Sequence, residues 1–80
     1  MKQVHDLKID IIYLKAKIAG DKLFEIRLND RGYQKGDDVV YCEYQPGGKR
    51  VKHTYEITYV SSYCQQGNTI VFGEKHISSK

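Results

Sequence analysis

The chain has 80 residues and a net charge of +3, with 40% hydrophobic and 29% charged residues. That length holds one domain, residues 1–80, and the balance of apolar and charged residues excludes a disordered chain. Residues 1–40 carry eight Lys/Arg against seven Asp/Glu, and residues 41–80 carry five against three. So even a spread excludes a strong, sequence-independent grip on phosphate backbones, which needs a clearer basic excess.

Residues 4–9 read as a first short strand. Asp10 can then cap a helix, because its carboxylate can accept the free N–H groups of a first turn. Ile11, Leu14 and Ile18 recur at helical spacing and predict one apolar stripe, with Lys15 and Lys17 off it. Gly20 ends the helix, which gives it residues 10–19. Residues 22–29 form the clearest strand. Phe24, Ile26 and Leu28 alternate with Glu25, Arg27 and Asn29, so the apolar set is expected in the core and the polar set opposite.

Residues 29–36 are rich in Asn, Asp and Gly and read as a loop. A third strand is expected over 37–45, and Pro46, Gly47 and Gly48 mark a turn. Residues 50–61 predict a long strand with Val51, His53, Tyr55, Ile57 and Tyr59 on one face. A polar loop over 62–68 leads to a last strand over 69–74, and the tail 78–80 is expected to fray. The order is β-α-β-β-β-β, without βαβ alternation. It predicts an α+β, mainly β domain: a small barrel of about five strands with one helix after the first strand.

Cys42 and Cys64 match no redox or metal spacing and read as free, buried thiols. The three histidines fall on separate elements, so no metal site is expected, and no cofactor motif is present. The N-terminal residues lack a signal-peptide core and no apolar run could cross a bilayer, so the expected location is cytoplasmic, with no membrane partner. A homodimer would help so small a core but is not required.

The segments HDLKI at 5–9, AGDKLFEIRLNDRGYQKGDDV at 19–39 and YEITYV at 55–60 closely resemble a bacterial and phage family of ASCH-like domains. Its pattern is a His-x-Leu-Lys strand, a helix, Gly-x-Lys-x-Phe-Glu-Ile-Arg, Asn-Asp-Arg-x-Phe/Tyr and Gly-Asp. Here it falls on His5, Leu7 and Lys8; on Gly20, Lys22, Phe24, Glu25, Ile26 and Arg27; and on Asn29, Asp30, Arg31, Tyr33, Gly36 and Asp37. The resemblance implies a PUA-like (ASCH) β-barrel that binds RNA or nucleotides in a cleft beside the first helix. Some ASCH proteins are amidohydrolases of acylated cytidine, with a Gly-x-Lys-x-x-Thr-x-Arg motif and a distant catalytic Glu. Lys22 and Arg27 match that motif, but Glu25 stands at the Thr position and the segment with the distant Glu has no counterpart.

The expected binding residues are therefore His5, Lys8, Lys22, Glu25, Arg27, Asn29, Arg31 and Tyr33. Arg27 offers a planar fork of donors for a phosphate or base edge, and Lys22 a point charge. Glu25 would accept from an exocyclic amine, and Tyr33 would stack on a base. Each also has a plainer role: Glu25 with Arg27 as a surface ion pair, His5 as an edge histidine, Tyr33 as a lid over the core. Three function classes follow. The first is an RNA- or nucleotide-binding module. The second is a small hydrolase of a modified nucleoside, with Lys22 and Glu25 as the catalytic candidates. The third is a phage or mobile-element accessory protein acting through a protein partner.

Overall fold

Alternating side chains and glycine-marked turns divide the described residues into five strands and one helix. The computed structural model describes residues 2–28, 31–61 and 67–80. The elements are β1 (Val4–Leu7), α1 (Ile11–Ile18), β2 (Phe24–Leu28), β3 (Asp38–Gln45), β4 (Lys49–Ser61) and β5 (Thr69–Ser79). The strands form one sheet in the order β1-β3-β4-β5-β2, curled into a half-barrel. Among the described strands only the β1–β3 pair is parallel. The chain is thus mainly β, with one short helix after the first strand. No helix among the described residues is long and apolar enough to cross a membrane.

Two turns follow from glycine chemistry. Gly47 and Gly48 both have positive φ and, with Pro46, close the β3–β4 hairpin between Gln45 and Lys49. Gly20 has φ +85°, its N–H donates to the Lys17 carbonyl, and the Asp21 N–H donates to that of Ala16. Those two bonds make a Schellman stop. The start of α1 differs from expectation. The Asp10 side chain makes no capping hydrogen bond, and only its carbonyl enters the helix, accepting from Leu14. The expected stripe is also revised: Leu14 and Lys17 are buried, whereas Ile11 and Ile18 are about half exposed.

The inner face of the sheet carries Val39, Tyr41, Tyr55, Ile57, Ile70 and Phe72, and Leu7, Leu14 and Tyr33 complete the core. Tyr59 leaves this face. The register passes from Ile57↔Glu74 to Tyr59↔Gly73, so Thr58 is an extra residue that reverses the alternation. The Tyr59 ring then lies over Gly73, where no side chain blocks it. The end of β5 is not frayed: Lys80 and Lys52 exchange both backbone hydrogen bonds, at 2.7 and 2.9 Å.

The largest revision concerns β2. Glu25 pairs with Phe72 and Arg27 with Ile70, and directly opposed residues share a face. Phe72 and Ile70 are core, so Glu25 points inward and is 4% exposed. Phe24, Ile26 and Leu28 point outward, at 43%, 54% and 64% exposure. The alternation is as read, but its two sides are exchanged. The reason is α1, which lays Lys17 against the inner face, so a carboxylate buried there meets a buried cation.

β1 and β2 are the two edges of the sheet. They meet across an open seam through side chains: Arg27 Nη2 donates to the Lys8 carbonyl and Arg31 Nη1 to the Asp6 carbonyl, both at 2.8 Å. Cys42 on β3 is a free thiol and only partly buried; Cys64 lies outside the described residues.

Candidate functional site

The seam opens into a cleft of about 620 Å³ where the end of β1, the start of α1 and β2 converge. Lys8, Asp10 and Tyr13 line one side, and Lys22, Phe24, Glu25 and Arg27 the other. A second groove of about 300 Å³ continues along β2, sharing Ile26 and Arg27 and adding Leu28, Arg31 and Tyr33. The first volume lies within the range of small-molecule sites, roughly 300–1,000 Å³.

Glu25 is the centre of the cleft. Its Oε1 accepts from Lys22 Nζ at 2.6 Å and lies 3.0 Å from Lys17 Nζ. Its Oε2 accepts from Arg27 Nε at 3.0 Å. Strand alternation does not bind Lys22, which precedes β2 and also donates to the Phe24 carbonyl. The Lys22 ammonium sits 5.7 Å from the Tyr13 ring centre and 5.3 Å from that of Phe24, within cation–π range. Burial pushes the Glu25 carboxyl up, but the hydrogen bonds and charges of Lys22 and Lys17 outweigh it and hold it below the usual carboxylate range. Glu25 is therefore a fixed anion that orients three cations.

Beneath it the network continues into the core. Lys17, 1% exposed, also binds Glu74 Oε2, and the Tyr41 hydroxyl donates to Glu74 Oε1. Burial pushes the Glu74 carboxyl above its ordinary range, despite Lys17 and Tyr41. Burial, with the Glu74 charge, also drives the Tyr41 hydroxyl far up, so it stays a donor. Lys17 thus links two buried carboxylates, one reaching the cleft and one wholly internal.

Of the expected binding residues, Lys8, Lys22, Glu25 and Arg27 meet in the cleft, and Arg31 and Tyr33 line the adjoining groove. His5 lines neither. It is buried, its Nε2 lies 3.0 Å from Asp37 Oδ2, and its ring packs 4.7 Å from that of Tyr33. Asp37 also accepts from the backbone N–H groups of Gln3 and Gln34. Burial raises its carboxyl, but His5 and those two N–H groups hold it below the usual range. The pair ties the 31–37 segment to β1. Asn29 lies outside the described residues.

Sequence reasoning missed Lys17 and Glu74. A signal existed for Glu74, since it follows Ile70 and Phe72 at strand spacing. None existed for Lys17, whose place in the core depends on where α1 docks. Among the described residues no group of three His, Cys, Asp or Glu side chains is placed to hold a metal ion.

No curated protein matches the chain. Residues 4–73 match the family model of a domain of unknown function (DUF3850), and with most of its length inside that match the chain belongs to this family.

Proposed function

We propose that this domain is an ASCH-type, PUA-like module that binds RNA or a nucleotide-like ligand in the cleft around Lys22, Glu25 and Arg27. The observation that supports this most is the convergence of Lys17, Lys22 and Arg27 on one buried carboxylate beside two exposed aromatic rings. Lys8, Lys22 and Arg27 outnumber Asp10 and Glu25 by one charge along the cleft. That balance suits one phosphate or a base edge rather than a run of backbone phosphates. Arg27 directs Nε to Glu25 and Nη2 to the Lys8 carbonyl, which leaves guanidinium N–H donors for a ligand. Tyr13 and Phe24 supply faces on which a base stacks.

The test is binding of nucleoside monophosphates and short single-stranded RNAs, followed by calorimetry or fluorescence anisotropy. Tyr13→Ala is expected to weaken binding by roughly 5- to 150-fold, from a stacking contribution of about 1–3 kcal/mol. Lys22→Ala is expected to weaken it further and to lower its salt dependence. Failure of the whole panel to bind, or equal binding by both variants, would overturn the proposal.

A further inference from the structure

Beyond Tyr41, strands β3, β4 and β5 carry a second polar cluster, none of which lines the cleft or its adjoining groove. His53 is buried on β4 and stands opposite Ser79 of β5. Its Nδ1 lies 2.7 Å from Ser79 Oγ, and its Nε2 lies 2.9 Å from Glu43 Oε1. Glu43 is the diagonal neighbour of His53, because Tyr41 is the residue directly opposite. His76 Nε2 lies 2.8 Å from the same Ser79 oxygen.

Regular strand geometry would not assemble this cluster. His76 and Ser79 are three residues apart and would face opposite sides of β5. The register passes from Tyr55↔His76 to Thr54↔Ser78, which leaves Ile77 as an extra residue. That bulge reverses the alternation and turns both side chains to the His53 face, a common use of bulges beside functional sites. The Lys52–Lys80 backbone pair then fixes the position of Ser79.

The proton positions follow from the partners. An ionised carboxylate only accepts, so in neutral His53 the proton sits on Nε2 and points to Glu43. The Nδ1 lone pair then faces the Ser79 hydroxyl, which donates to it. A hydroxyl, an imidazole acceptor and a carboxylate that orients the ring are the parts of an activated serine. The base is buried, while Ser79 and His76 are exposed.

We propose that Ser79 is a nucleophile that takes acyl groups from small activated esters, with His53 as its base, Glu43 as the residue that positions His53, and His76 as the residue that positions the Ser79 oxygen. Ser79 Oγ forms a bond to the ester carbonyl carbon while its proton passes to His53 Nδ1. Collapse of the tetrahedral adduct breaks the bond to the leaving alcohol, which takes that proton. Water then attacks the acyl carbon, gives a proton to His53 and releases the carboxylic acid, and His53 returns the proton to Ser79 Oγ. This assignment does not rest on the cleft reading.

The full chain is incubated with p-nitrophenyl acetate, and separately with a fluorophosphonate, and adducts are mapped by mass spectrometry. Ser78 is the internal control, since it pairs with Thr54 on the opposite face. Ser79 is expected to label about a hundredfold faster than Ser78, a typical contribution of a positioned base. Ser79→Ala should remove that adduct, and Glu43→Gln should slow it roughly tenfold or more while the circular dichroism spectrum is unchanged. Should Glu43→Gln disturb the fold, His76→Gln, at an exposed site, is expected to slow labelling instead. Adducts only on lysines or tyrosines, equal labelling of Ser78 and Ser79, or a rate unaltered in both folded variants would overturn the proposal.

Discussion

Lys17→Met tests whether the buried network holds the fold together. Methionine keeps the length and flexibility of the side chain and removes its charge. Glu25 retains Lys22 and Arg27, whereas Glu74 retains only the Tyr41 hydroxyl among its described partners. Breaking a buried ion pair from one side costs about 3–5 kcal/mol. The lower end applies here, because burial already favours a proton on Glu74, and neutralisation limits the penalty. A domain of this size has a total stability of about 4–12 kcal/mol, so a loss of about 3 kcal/mol is a large share of it. With a urea slope of roughly 1 kcal/mol/M, the midpoint should fall by about 3 M. Urea unfolding followed by circular dichroism at pH 7 measures this. Lys17→Met/Glu74→Gln should recover about 1–2 kcal/mol, because the amide carries no buried charge. A Lys17→Met loss below about 1 kcal/mol, or a double variant whose losses simply add, would refute the reasoning.

Other perturbations probe separate features. Asp37 has a depressed folded pKa, so its contribution is present above the unfolded carboxylate value and is lost as pH falls through the folded one. Glu25 acts in the same direction, and Glu74, whose pKa is raised, opposes them. Stability should therefore fall on acidification from pH 7, and Asp37→Asn should be less stable at pH 7 with a shallower decline; parallel pH profiles would contradict this. The Tyr55 hydroxyl is buried without a hydrogen-bond partner among the described residues. Tyr55→Phe is expected to be neutral or stabilising by up to about 1 kcal/mol in the same urea assay, and a clear loss would show that the hydroxyl is bonded. At Gly73 an added Cβ would lie 2.1 Å from a Tyr59 ring carbon, so Gly73→Ala must displace the ring. It should destabilise the domain by about 1 kcal/mol and have no such effect in a Tyr59→Ala background.

Local chemistry made much of the architecture legible. The glycines at 20, 47 and 48 end the helix and close the hairpin as read, because each turn needs a positive φ that other residues adopt at a cost. Element order and the single helix followed from periodicity. The candidate site was partly legible, since Lys8, Lys22, Glu25 and Arg27 do line one cleft. The Asp10 cap, the Ile11–Leu14–Ile18 stripe and the place of Tyr59 were not. The stripe depends on how α1 docks and the place of Tyr59 on one extra residue in a ladder, and single-chain periodicity records neither.

The sequence by itself determined which residues share a face: Phe24 with Ile26 and Leu28, Glu25 with Arg27. A period of two cannot say which of two faces is inside. Tertiary structure decided that, and it chose the charged face, because Lys17 from α1 joins Lys22 and Arg27 as the cations that make a buried Glu25 tolerable. The same limit applies at the other cluster. Only the bulge at Ile77, a property of two paired strands, turns His76 and Ser79 to the side where His53 waits.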